Sequence, residues 1–166
     1  GVYRPSTTGN KSAYFALKTG VALYGGFGGA ETDRSERNIT GNPTILTGDL
    51  SNDDEGKVDG VTVSVIAGSS REDNSRCVVV GSNVTASAIL DGFTITAGNN
   101  LAYGAQANGD PPHGGGMYVL NGAPTVENCT FAGNNAASKG GGVFNQSSTP
   151  SLANCTFLGN RAHDGG

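Results

Sequence analysis

Gly114-Gly-Gly-Met-Tyr-Val-Leu-Asn-Gly-Ala-Pro-Thr-Val-Glu-Asn-Cys-Thr-Phe-Ala-Gly-Asn134 and Gly140-Gly-Gly-Val-Phe-Asn-Gln-Ser-Ser-Thr-Pro-Ser-Leu-Ala-Asn-Cys-Thr-Phe-Leu-Gly-Asn160 are two copies of one unit. Gly114 maps to Gly140, Pro124 to Pro150, Cys129 to Cys155, Phe131 to Phe157 and Asn134 to Asn160, always 26 residues apart. A third copy starts at Gly165-Gly166, one residue early. Within a unit, Cys129 and Phe131 alternate with Thr130, the period of a strand with one buried face. Segments this short cannot bury a face alone. Stacked copies can, because each strand then pairs with its counterpart about 4.8 Å away. Like residues are expected to form ladders: Phe131 on Phe157, Cys129 on Cys155, Asn134 on Asn160. A buried Asn ladder at a turn satisfies amide donors and acceptors between layers. Gly114 and Gly140 fit a corner that needs positive φ or close backbone approach.

The expected fold is therefore all-β, a parallel β-helix with coils of about 26 residues in its C-terminal part. An earlier layer reads Leu90-Asp-Gly-Phe-Thr-Ile-Thr-Ala-Gly-Asn99, with Phe93 in the Cys place, Ile95 in the Phe place and one extra residue before the Gly-Asn pair. Apolar strands are expected at 14–17, 21–24, 44–46, 61–67 and 77–80, with loops at 25–43, 48–60 and 68–76. The whole chain, 1–166, reads as one β-helical domain or a segment of a longer one. It divides into irregular coils over 1–99, an inserted loop over 100–113 carrying Pro111 and Pro112, and regular repeats over 114–166. Leucine-rich, ankyrin and tetratricopeptide repeats need helical segments and signatures that do not occur, and collagen needs Gly at every third position.

Composition agrees. The chain holds 28 Gly and only 14% charged residues among 166, against about 7% Gly and about 25% charged in average chains. Its many Val, Ile and Thr distinguish it from disordered sequence, and Gly, Thr, Ser and Asn disfavour long helices. The net charge of −4 comes without a basic cluster, which argues against nucleic acid as a partner. No apolar run approaches the roughly 20 residues of a transmembrane helix. No signal peptide is visible, and the chain reads as a processed one or a segment.

Candidate sites are few. Asp49, Asp53, Asp54 and Glu55 lie in one acidic loop whose oxygens suit a hard cation such as Ca²⁺, although the spacing lacks the closing Glu of an EF-hand; a solvated loop is the other reading. Arg34, Glu36 and Arg37 form one charged loop, and Arg71, Glu72, Asp73 and Arg76 another. They are expected either to take anionic sugars or, with Asp49, to pin long loops to the first coils. His113, His163, Asp91, Asp110, Lys139 and Asp164 fall at turns or loops, and the outward positions Thr130, Ala132, Thr156 and Leu158 offer no acid or base. No hydrolase, zincin, phosphate-loop or dinucleotide-binding motif occurs. The three cysteines read as small buried hydrophobes, with a Cys129–Cys155 disulfide as the alternative. Six Asn-X-Ser/Thr sequons, at Asn10, Asn38, Asn83, Asn128, Asn145 and Asn154, follow from the composition.

The pairing of Gly-Gly-Gly-Met and Gly-Gly-Gly-Val with Phe-Ala-Gly-Asn and Phe-Leu-Gly-Asn resembles the GGA[ILV] and FxxN repeats of polymorphic outer membrane proteins, with Gly in the Ala place. The stretches 24–32, 42–49, 71–74 and 90–96 also resemble bacterial surface proteins of choice-of-anchor type. The resemblance implies a right-handed coil, export and surface attachment, and it implies no catalytic residue. The leading expectation is a secreted or cell-surface structural or adhesin-like protein. Its partners would be a glycan or cell surface, or further copies of itself through open strand edges. A polysaccharide lyase or hydrolase is the alternative.

Overall fold

The computed structural model describes residues 1–54, 57–58, 61–62, 69–101 and 113–166. The chain passes through β1 (Val2–Tyr3), β2 (Phe15–Ala16), β3 (Ala22–Tyr24), β4 (Thr44–Thr47), β5 (Lys57–Val58), β6 (Val61–Thr62), β7 (Val79–Val80), β8 (Ile89–Asp91), β9 (Phe93–Thr96), β10 (Asn99–Asn100), β11 (Met117–Leu120), β12 (Thr125–Glu127), β13 (Thr130–Ala132), β14 (Asn135–Ala136), β15 (Val143–Gln146), β16 (Ser151–Ala153) and β17 (Thr156–Leu158). Two short 3-10 turns, Arg34–Glu36 and Ser69–Asp73, are the helical elements among the described residues. None is long and apolar enough to cross a membrane.

The protein is all-β and its three main sheets are parallel. The first is ordered β1-β4-β9-β13-β17, the second β2-β7-β11-β15 and the third β3-β8-β12-β16. The chain visits the sheets in a fixed rotation, so each parallel pair is connected through strands of the other two, which supplies the long crossover that parallel pairing requires. Register follows the repeat: Phe131 pairs with Phe157, Val126 with Leu152 and Met117 with Val143. The same columns continue through Ile95 and Leu46, through Leu90 and Leu23, and through Val79 and Phe15. They meet in one core, where Leu90, Ile95, Met117, Val126 and Phe131 are wholly buried. The Phe131 and Phe157 rings stack with centroids 5.1 Å apart and planes 10° apart.

Corners explain the Gly, Asn and Ser content. Gly92, Asn128 and Asn154 occupy equivalent places between the third and first sheets, all with positive φ (84°, 50° and 52°). Asn is among the residues that tolerate this region and Gly enters it freely. At the Gly-Gly-Gly corners both expected reasons hold. Gly114 and Gly140 have φ of 77° and 60°, and a Cβ on Gly115 would lie 2.4 Å from the Asn135 carbonyl oxygen.

Four expectations are corrected. Asn99 does not extend the Asn134–Asn160 ladder; the strands run without an extra residue, Asn99 pairs with Asn135, and the Gly98 N–H takes the ladder place by donating to Asn134 Oδ1 at 3.0 Å. Val61–Thr62 does not join a parallel sheet. It pairs antiparallel with Lys57–Val58; residues 59–60 and 63–68 lie outside the described ones. Ala132 is buried rather than outward and open, because Arg71 reaches over this edge and donates to the Gly133 carbonyl at 2.6 Å. Asn100, assigned to the inserted loop, is in β10 and pairs with Ala136; residues 102–112, with Pro111, Pro112 and Asp110, lie outside the described ones.

Candidate functional site

Among the described residues, buried polar groups gather in two clusters and in amide ladders between layers. The first cluster forms where β4 ends. Thr47, Gly48 and Asp49 are buried, and the Asp49 carboxylate turns back on its own loop. Its Oδ1 accepts from the Asn52 and Asp53 N–H groups at 2.6 and 3.2 Å, and its Oδ2 from Asp54 N–H at 3.4 Å. Arg4 Nε donates to the Asp49 carbonyl at 2.7 Å, and its guanidinium also bonds Asn52. Beside this loop, Asn74 Nδ2 donates to Asp54 Oδ2 at 2.6 Å and to the Ala97 carbonyl at 2.8 Å, and Arg71 Nε lies 3.8 Å from Asp54 Oδ2.

The expected cation ligands separate here. Asp49 and Asp53 converge, but the third member of their group is Asp73, with one carboxylate oxygen of each within 4.8 Å of the others. Asp54 faces Asn74 and Arg71 instead, and Glu55 lies outside the described residues. The trio could offer oxygens to a hard cation, although the Asp49 oxygens already serve as caps. Partial desolvation, then the charges of Asp73, Asp49 and Asp54, hold the Asp53 carboxyl above its ordinary range.

That shift has a sign. A carboxyl whose folded-state pKa is raised opposes folding when ionised, and the penalty is relieved as pH falls through the raised value. Asp53→Asn is expected to raise the melting temperature at neutral pH. The gain should fade between the raised value and the ordinary aspartate value of about 3.9, as read from melting curves across that range. A less stable Asn variant at neutral pH would contradict the assignment. A melting temperature that rises with Ca²⁺ only when Asp53 is present would make the trio a cation site.

The second cluster lies between β3, β8 and the 25–43 loop. Arg37 Nη2 pairs with Asp91 Oδ2 at 2.5 Å, with both side chains largely buried. Asp91 Oδ1 accepts from Asn128 Nδ2 at 2.8 Å, and Asn128 Oδ1 from Asn154 Nδ2 at 3.3 Å. Arg34 and Arg37 stand over the Tyr24 ring at 4.7 and 5.4 Å, and Arg34 Nη1 donates to the Tyr24 hydroxyl at 2.6 Å. The arginines therefore pin their loop to the first layers, and Arg37 does so through Asp91. Asp49, the expected partner, is occupied by its own loop. Arg76 likewise bonds Ser12 at 3.2 Å, and Lys11 Nζ donates to the Glu72 carbonyl at 3.0 Å.

The Asn ladder is built from both copies. Asn134 Nδ2 donates to Asn160 Oδ1 and to the Ile95 carbonyl, each at 3.0 Å, and Asn160 Nδ2 to the Phe131 carbonyl at 2.8 Å. Cys77, Cys129 and Cys155 are free thiols, and burial pushes Cys77 and Cys129 up to about 12. Their thiols approach backbone carbonyls, Cys129 Sγ lying 3.6 Å from the Leu90 oxygen. His113 tilts onto Phe144 at 4.5 Å between centroids, and desolvation, then Lys139, lowers its pKa. His163 is exposed and bonds its neighbour Asp164 at 2.8 Å; the two histidines share no site.

An open groove crosses the corner between the second and third sheets, lined by Val84, Thr85, Asn121, Gly122, Ser147 and Thr149 among others. Its described lining offers hydroxyl and amide groups without an acid, a base or an aromatic ring. Such a lining can hydrogen-bond a neutral polar ligand but carries no group for bond cleavage. No protein-family model, curated protein or solved structure matches this chain.

Proposed function

We propose that the chain is a right-handed parallel β-helix that serves as a structural or adhesin-like element of a secreted or cell-surface protein. The observation that carries this reading is the fixed rotation of the chain through three parallel sheets whose inner columns stay in register over four successive layers. Its ladders of like residues invest the polar groups of the repeat in holding layers together. The described charged clusters are tied into loops by Asp49, Asp91 and Arg71, and they leave no acid–base pair along the groove. The resemblance of the Gly-Gly-Gly and Phe-x-Gly-Asn repeat to polymorphic outer membrane proteins adds export and surface attachment to the reading. Glycans or cell surfaces are the partners it suggests.

Cross-strand nuclear Overhauser contacts in the purified chain, run beside an assay for cleavage of neutral and acidic polysaccharides, test this. Contacts between strands 26 residues apart, such as Phe131 with Phe157 and Val126 with Leu152, and no release of reducing or unsaturated ends are expected. Loss of those contacts would refute the β-helix. Turnover of a polysaccharide would replace the structural role with the enzymatic one.

A further inference from the structure

The groove at the corner between the second and third sheets takes its shape from one long turn. From Val80 to Ile89 the chain makes nine residue steps. From Tyr118 to Thr125 and from Phe144 to Ser151, the equivalent places in the next two layers, it makes seven. The longer turn, which lies in an internal layer, sets Thr85 and Ala86 out as an exposed wall. Thr85 Oγ1 lies 2.9 Å from Ser87 Oγ, and the Thr85 N–H donates to Thr19 Oγ1 at 3.1 Å, which fixes the wall. Beside it the shorter corners form a floor from buried Val84 and Gly122 and half-buried Ala123. The space between is about 370 Å³, within the usual range of ligand sites.

Asn121, Ser147 and Thr149 are exposed in this groove, and their side chains have no partner among the described residues. Leu120 pairs with Gln146, so Asn121 and Ser147 follow at equivalent places, both with φ of 50°. Amide and hydroxyl groups therefore recur along the groove at the layer spacing of about 4.8 Å. Such groups both donate and accept. The N–H groups of Asn121, Gly122, Ala123 and Thr149 already donate within the protein, at 3.0, 3.3, 2.8 and 3.0 Å. The lining carries no charged side chain, so an anion would find neither a cation nor these amides. A peptide strand would find no edge to extend, because β11 and β12 are each paired on both sides.

Resting on the adhesin-like role proposed for the β-helix, we propose that this groove binds a neutral polysaccharide chain laid across successive layers. Hydroxyl groups of the sugar pair with Asn121, Ser147 and Thr149, and its C–H faces lie on Val84, Gly122 and Ala123. The groove is open and has no aromatic ring for stacking, so binding is weak, with a dissociation constant on the order of 1 mM.

Titration of the isotope-labelled chain with xylohexaose and with mannohexaose, read by amide chemical shifts, tests this. Shifts at Thr85, Gly122, Ala123 and Thr149 are expected with at least one of the two. Hexagalacturonate, a charged counterpart, should leave those amides unmoved. Asn121→Gly with Ser147→Gly removes both side chains while keeping residues that accept positive φ, so the fold should hold and the affinity should fall about tenfold. Groove amides that stay still with both neutral sugars would overturn the proposal, as would hexagalacturonate binding there or undiminished affinity in the double variant. Phe131–Phe157 contacts in the same samples separate the two readings. Unmoved groove amides with those contacts intact would overturn the glycan site alone, whereas loss of the contacts would overturn the β-helix.

Discussion

Phe131→Ala is expected to remove about 3–5 kcal/mol of stability, the usual cost of emptying a buried aromatic site. Phe131 has no solvent exposure and lies between Ile95 and Phe157 in the column of the first sheet. Parallel strands on both sides fix the backbone, so the cavity cannot collapse without breaking a ladder. Folded domains are stable by about 5–15 kcal/mol in all, so the variant should approach the limit of folding at 37 °C. Phe157→Ala removes the same side chain from the same column, but the residue is exposed. Its loss should stay below about 1.5 kcal/mol, the stacking of the two rings being its main content. Urea denaturation followed by circular dichroism measures both. Equal losses would mean that Phe157 is covered in solution.

Asn134→Ala comes second, with an expected loss of about 2–4 kcal/mol. The Asn134 side chain is fully buried and serves the Gly98 N–H, the Ile95 carbonyl and Asn160 Oδ1. Alanine strands the Gly98 donor where water does not reach, at about 1–3 kcal/mol, and removes the bonds to Asn160 and to the Ile95 carbonyl, which the β9–β13 ladder still serves, for about 1 kcal/mol more. Asn160 makes the equivalent bonds one layer on, but it is only partly buried, so water can replace them and Asn160→Ala should cost about 1 kcal/mol. Hydrogen exchange at the Gly98 amide isolates the effect. Its protection should collapse in Asn134→Ala and survive in Asn160→Ala.

Much of the architecture was legible where layers are spelled alike. Phe131 and Phe157, Cys129 and Cys155, and Asn134 and Asn160 stand at one offset, and strand pairing preserves it. Further back the column reads Leu46, Ile95, Phe131, so identity no longer marks the register although the inner position stays apolar. The Gly-Asn pair at 98–99 misled for the opposite reason. It matches Gly133-Asn134 in spelling, but a parallel ladder gives no reward for spelling, and an unbulged strand puts Asn99 against Asn135.

The clusters were less legible than the fold. Asp49 and Asp53 were named from one loop. Asp73 joins them from a loop twenty residues away in sequence, and only folding brings it there. Arg37 had to choose between acids, and distance along the chain says nothing about that choice. Asp91 wins because β8 lies beside β3, directly under the 25–43 loop. The placement of Arg34 and Arg37 over Tyr24 carries no periodic signal at all.

The strands keep one register while the chain between them varies in length: Asn99 and Asn135 are paired across 36 residues, and Asn134 and Asn160 across 26. Each layer therefore inherits its place from the layer before it and from nothing farther away. A tandem duplication of one unit inserts a layer that meets familiar neighbours on both sides, so a gene of this design lengthens its product in whole steps. The corners, which set no register, are free to diverge into the loops that distinguish one layer from the next.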